Sequence, residues 1–347
     1  MKRGLVVLDP NEIPADEPEK RIAKLQESLQ KQGIAAALIY GDVYHSGDIT
    51  YLCNLCIYWN EGIMVIPAQG EPLCVTKLSG RVHTWMKAIS TLKDLRSAPN
   101  MPTKIKEYLS EVTPGTVGIV EMDWWPAPVL DSLKENLPGW QLQDLGQVVK
   151  TERKRPSGTE MKLLRKGASI SAAAVAAGLD PALTNGERAG RAEKLSRMAG
   201  VEDVYAYCRP VTDDADAVQV FTEYRGYWTV AARTVLKGNP EWAAKMLAAY
   251  ETGKKLLKDG ANVTQLRDAI SAALPDSSIK WAVDIIHHTD LETNGDFRLD
   301  AEAGQSIQAG AVAGMRLVFN FDGGAQAVIA DTFLITNDGA ECLTAID

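Results

Sequence analysis

Four histidines occur in the 347 residues, His45, His83, His287 and His288, and they are the side chains that titrate near neutrality. His287 lies in the stretch HHTDLE with Asp290 and Glu292 close by, the make-up of an acid/base imidazole oriented by a carboxylate. The same stretch also fits a ring that only hydrogen-bonds a backbone carbonyl, and the residues alone leave both open. The segment VEDVYAYCRP collects Tyr205, Tyr207, Cys208 and Arg209. Two tyrosines two apart face one side of a strand, where core packing is the default, and nothing nearby marks Cys208 as a lowered-pKa thiol. Cys53 and Cys56 form a CxxC with no second pair and no His beside it, which reads as two small hydrophobes next to Tyr51 and Leu52 and not as a zinc site. The acidic run Asp213 to Ala217 reads as solvated loop carboxylates in a turn before a strand.

These residues need a scaffold, and the hydrophobic pattern supplies one. Ile22, Leu25 and Leu29 recur at helical spacing over 18–33, and Gly33 ends the helix. Ala35 to Tyr40 is a continuous apolar strand, and GIMVIPAQGEPLCVT reads as a hairpin. Helices near 103–111 and 127–136 flank the short strand Val117 to Val120, so the first part alternates helix and strand as an α/β layer does. In KTERKRPSG a basic run meets Pro156, Ser157 and Gly158, which predicts a linker. Beyond it come helices over Glu160 to Leu179 and Glu187 to Met198, then strands over Ala217 to Tyr224 and Tyr227 to Leu236. Helices near 240–258 and 263–274 precede a β-rich block from Met315 to Ile335, an α+β order.

Composition narrows the function classes. Lys and Arg total 37 against 45 Asp and Glu, a formal charge of −8, so nothing calls for a nucleic-acid partner. Five scattered cysteines are no disulfide framework, and the apolar run Leu5 to Leu8 is too short for a signal-peptide core. No stretch approaches the ~18 apolar residues needed to cross a bilayer, so the expectation is a cytoplasmic protein with no membrane partner.

Five segments, in order, resemble the creatinase, aminopeptidase P and prolidase branch of the pita-bread metallopeptidases. They are RIAKLQESLQKQGIAAALI with DITYLCNL; KTERKRPSGTEMKLLRKGASI; EYRGYWTVAART, where the family has a stretch like EYDGYCSDITRT; HHTDLETNG, where it has HGIGLEVHE; and GMRLVFNF with VIADTFLITNDGAECLT. The resemblance implies a two-domain α/β protein, with a creatinase-like N-terminal domain over 1–152 and an α+β pita-bread domain over 153–347, assembled as a homodimer.

The family's chemistry is hydrolysis by two divalent metals held by two Asp, a His and two Glu. Carried over position by position, the first Asp falls on Gln219, the second on Val230, the His on His287, the penultimate Glu on Asn320 and the last Glu on Ala330. All four carboxylates are replaced, so the resemblance implies no metal and no other cofactor. A further family His falls on Asn294, and the upstream catalytic His has no counterpart, since none occurs between His83 and His287. His287 is then the expected catalytic residue. Gln219, Asn320, Tyr207, Asn294 and His288 are candidate substrate contacts, amides at former ligand positions being able to hold a small polar ligand or each other. In this family the N-terminal domain of one subunit borders the other's pocket, so His45, Trp59 and Tyr58 are candidates for a shared site, or ordinary half-buried aromatics. Arg233 matches an arginine read as structural. The functional expectation is a metal-independent enzyme acting on a small amide, guanidino or amino-acid-like metabolite. The rivals are a non-catalytic pseudo-peptidase binding a peptide or protein, and a Xaa-Pro peptidase with shifted ligands.

Overall fold

The computed structural model describes residues 7–57, 59–274, 279–290 and 305–346. The chain divides into two compact units, one ending at Arg153 and the other beginning at Lys154.

In the first unit, α1 (Asp16–Gln32) buries Leu25 and Leu29 and stops at Gly33, whose φ of +69° is open to glycine and lets its N–H return to the carbonyls of Gln30 and Leu29. The apolar run that follows is β1 (Ile34–Asp42), the centre of a mixed sheet ordered β4-β3-β2-β1-β5-β6. Its other strands are β2 (Glu61–Pro67), β3 (Leu73–Thr76), β4 (Asp94–Ser97), β5 (Thr116–Val120) and β6 (Gln141–Gly146). Ala37 and Ile39 join α1, α2 (Gly47–Cys53) and α6 (Val148–Arg153) in one core. Ala36 and Leu38 join α4 (Met101–Leu109) and α5 (Ala127–Asn136) in another, while α3 (His83–Ala88) adds Met86 to the first. Helices on both faces explain why β1 is apolar without alternation.

The second unit opens with α7 (Gly158–Ala176), which begins in a capping box: Ser157 Oγ accepts from Glu160 N, and the Glu160 carboxylate accepts from Ser157 N. After α8 (Asn185–Met198) comes an antiparallel sheet ordered β10-β11-β12-β9-β8-β7. Its strands are β7 (Asp203–Thr212), β8 (Ala215–Tyr224), β9 (Tyr227–Leu236), β10 (Lys280–His287), β11 (Val312–Asn320) and β12 (Gln326–Ile335), with β13 (Ala340–Cys342) beside β12. α9 (Glu241–Lys254) and α10 (Val263–Ala273) lie between β9 and β10 in sequence. Ser171 of α7 hydrogen-bonds Thr222 and Thr229, Gly178 meets Val218, and Gly253 of α9 meets Met315, so the helices cover one face of the sheet. The opposite face carries the residues that follow.

Sequence reading missed β4, β6 and β10 and saw of β7 only the strand around Tyr205 and Tyr207; β10 and β7 form the edges of this sheet. It also misjudged the acidic run. Asp216 is not a solvated loop carboxylate: it lies in β8, 3% exposed, with Arg188, Lys237 and Asn185 around it. Burial pushes its carboxyl up, but Lys237, Asn185 and Arg188 outweigh that and hold it below the ordinary aspartate value.

Candidate functional site

Strand register decides which side chains meet. Gln219 pairs with Ala232, and Val230 pairs with Phe221, so Gln219 and Val230 are diagonal neighbours on one face of β8 and β9. Ala232 pairs in turn with Ala330 of β12, which brings three of the mapped ligand positions together. The fourth does not follow. The β11–β12 hairpin turns through Asp322–Gly324, and its register sets Ala330 opposite Arg316, whereas Asn320 pairs with Gln326 and accepts its Nε2 at 2.9 Å. Four residues along a strand is about 13 Å, so Asn320 closes the hairpin at a distance from Ala330 and Arg316 stands in the central place. Sequence alignment on GMRLVFNF hid this; the signals were the lone cation in an apolar strand and the Asp-Gly-Gly turn that fixes the register.

Directly paired residues continue the row on both sides, Asp284 of β10 beside Arg316 and Tyr207 of β7 beside Gln219. One face therefore presents Asp284, Arg316, Ala330, Ala232, Gln219 and Tyr207 in line. The two alanines are fully buried and form a floor, and the polar residues on either side are half-buried. Beside the floor the packing is tight across β12: a Cβ at Gly314 would lie 2.8 Å from Val230 Cγ1, although β11 and β9 are not neighbours. An aromatic wall borders the Gln219 end. Tyr205 stacks on Trp228 at 5.4 Å, Tyr207 meets Phe221 edge-on at 6.3 Å, and the guanidinium of the exposed Arg209 lies 5.3 Å from the Tyr207 ring. Burial pushes the Tyr207 phenol upward and that of Tyr205 to about 12, so both remain hydrogen-bond donors at neutral pH.

His287 lies elsewhere. It is three residues from Asp284 in the unbroken β10 register, which sets it on the opposite, helix-bearing face. Its Nδ1 lies 2.9 Å from Thr289 Oγ1, and His288, at the start of a single tight turn, has Nδ1 3.2 Å from the carbonyl of Val312. Cys208, half-buried, is pushed by burial to about 11, in keeping with an inert thiol. Arg233 donates to the Ala330 carbonyl and to Asp331, which also accepts from Tyr250 of α9, so it ties strands to helix. Tyr58, the side chain of Asp290, Glu292 and Asn294 lie outside the described residues.

In the first unit, His45 Nε2 lies 2.6 Å from Glu121 Oε2, and Trp124 stacks on the His45 ring at 5.0 Å. Trp59 stacks on Trp85 at 5.3 Å. Cys53 and Cys56 are buried, and burial pushes Cys53 to about 12.

The donor set of the row does not fit a pair of dications. Gln219 is a neutral amide, Val230 and Ala330 are hydrocarbon, and Arg316 is itself a cation. Among the described residues no group of three or more His, Cys, Asp or Glu could hold a metal ion.

Comparison with known proteins agrees with this architecture. Residues 21–154 match the Creatinase/Prolidase N-terminal domain family, and the chain has the pita-bread fold of the creatinase, aminopeptidase P and prolidase branch. It is similar to the prolidase from Pyrococcus horikoshii OT3 at TM-score 0.76 and 17% identity, over 94% of this chain and 99% of that one. The X-Pro aminopeptidase from Thermotoga maritima MSB8 gives 0.77 and 16%, over 94% and 98%. The N-terminal domain of FACT complex subunit SPT16 from chickpea, Cicer arietinum, gives 0.68 and 15%, over 96% and 97%. No curated protein matches the chain in sequence. No helix among the described residues is long and apolar enough to cross a membrane.

Proposed function

We propose that the second unit acts on a small amide, guanidino or amino-acid-like metabolite without metal, on the row from Asp284 to Tyr207. The observation that carries this is the register that sets Arg316 opposite Ala330, where a two-metal site would need an anionic oxygen. Gln219 both donates and accepts, Tyr207 donates, and Arg316 offers charged donors, a set that orients a polar molecule over an alanine floor. Asp284 is the one carboxylate of the row and its candidate general base. Ligand-observed NMR on a mixture of small amides, guanidines and amino acids, recorded in EDTA, tests the reading. At least one compound should bind or be consumed, and Gln219→Ala should weaken that at least tenfold. Activity confined to protein loaded with manganese, cobalt or zinc would overturn it and favour a peptidase with shifted ligands.

A non-catalytic reading has one specific support. The chickpea protein of this fold is a subunit of the FACT complex. No compound of the mixture bound or consumed, with saturable binding of a peptide instead, would favour this second reading, a pseudo-peptidase that binds a peptide or protein partner.

A further inference from the structure

Within the row, Arg316 carries the fully buried side-chain polar atom that has no hydrogen-bond partner among the described residues. Its side chain is 18% exposed and its Nε is fully buried, yet among the described residues the guanidinium makes no hydrogen bond. The nearest anionic atom, Asp284 Oδ2, lies 3.7 Å from Nη1, within ion-pair range but beyond hydrogen-bond length. A guanidinium carries five N–H donors in a planar fork that matches a carboxylate two bonds at a time. Leaving those donors unmet in a half-buried place costs free energy that an arriving anion recovers. Burial lowers the proton affinity of Arg316 most, Asp284 opposes it, and the charge of Arg209 adds a smaller lowering.

Resting on the metal-free reading of this row, we propose that Arg316 receives the carboxylate of a small organic acid whose remaining part lies toward Gln219 and the aromatic wall. From Arg316 to Gln219 is three strand spacings, about 14 Å between backbones. A span of that length matches a metabolite-sized acid held between the two side chains. The aromatic faces of Tyr205, Tyr207 and Trp228 favour a ligand with an apolar or cationic body, which distinguishes an organic acid from inorganic phosphate.

The test uses the full-length protein with three acids, acetate, benzoate and N-acetylglycine, against acetamide, benzamide and inorganic phosphate, read by calorimetry and by Trp fluorescence. At least one acid should bind tenfold or more tightly than its neutral amide and than phosphate, and more weakly as salt rises. Arg316→Gln should remove at least tenfold of that affinity and Arg316→Lys, which keeps charge but not the fork, a smaller part. Arg209→Gln, which removes the exposed charge that acts on Arg316, should weaken the acid less than Arg316→Gln does. Equal binding of acid and amide, with Gln219→Ala still harmful to both, would overturn the carboxylate proposal and leave the metal-free site standing. Binding untouched by Arg316→Gln, Arg209→Gln and Gln219→Ala alike would overturn both.

Discussion

At the scale of single residues, His287 shows how far type and spacing carry. The sequence marks it as the surviving member of a ligand set, but its face is decided by β10, a strand the pattern KWAVDIIH did not announce. Held by Thr289 on the helix-bearing side, it should act as scaffold. His287→Ala and His287→Gln are then expected to lower stability by about 1 to 3 kcal/mol through the unmade hydrogen bond while leaving ligand binding intact. A loss of a hundred- to ten-thousand-fold in turnover, measured with folding preserved, would instead mark a positioned acid/base. Glu121 offers a residue-scale pH test. Burial pushes its carboxyl up, but the hydrogen bond and charge of His45, with Lys150 and Arg153, outweigh that and hold it below the usual 4.5. A lowered folded value means stability that is present above 4.5 and lost as pH falls from there through the folded value. The difference in melting temperature between wild type and Glu121→Gln should therefore shrink as pH falls from 5 toward 3; a difference unchanged at pH 3 would contradict the pairing. Glu121 itself has φ of +49°, uncommon for a side chain with a Cβ, and no sequence pattern signals it.

At the scale of elements, long periodic segments were legible and short or edge strands were not. The α1 helix, the β1 strand and the β8–β9 pair stand where their apolar pattern puts them. By contrast β4 and β6 are short and lie at the sheet edge, where one-sided exposure dilutes the apolar signal. Gln219 and Val230 met because β8 and β9 are joined by a tight turn whose register follows from its length, and the pairing of Ala330 with Ala232 added the third mapped position. Asn320 and Arg316 changed places because motif alignment does not count residues around the 322–325 turn, whereas the ladder does. Close packing across β12 has its own test. The Cβ added in Gly314→Ala would meet Val230 Cγ1 at 2.8 Å and Ile286 Cβ at 3.6 Å, an overpacking expected to cost about 1 to 3 kcal/mol. Adding Val230→Ala should recover part of that loss in a double-mutant cycle, and strictly additive effects in denaturant titrations would show that the two side chains do not meet.

At the scale of the whole molecule, two compact units and the fold were readable from five ordered segments. What the chain does was less readable, since the site is built by cross-strand pairing among residues more than a hundred positions apart, Tyr207 to Arg316. We further propose that the protein is a homodimer, for which light scattering at micromolar concentration should return twice the 37.7 kDa chain mass; the monomer mass would count against it. Metal content bears most directly on the central claim that Gln219, Val230, Ala330 and Arg316 replace a dication site. Protein incubated with manganese, cobalt or zinc, passed through gel filtration without chelator and subjected to elemental analysis, should retain far less than one equivalent per chain. One or two equivalents retained, and lost on Gln219→Ala, would contradict it.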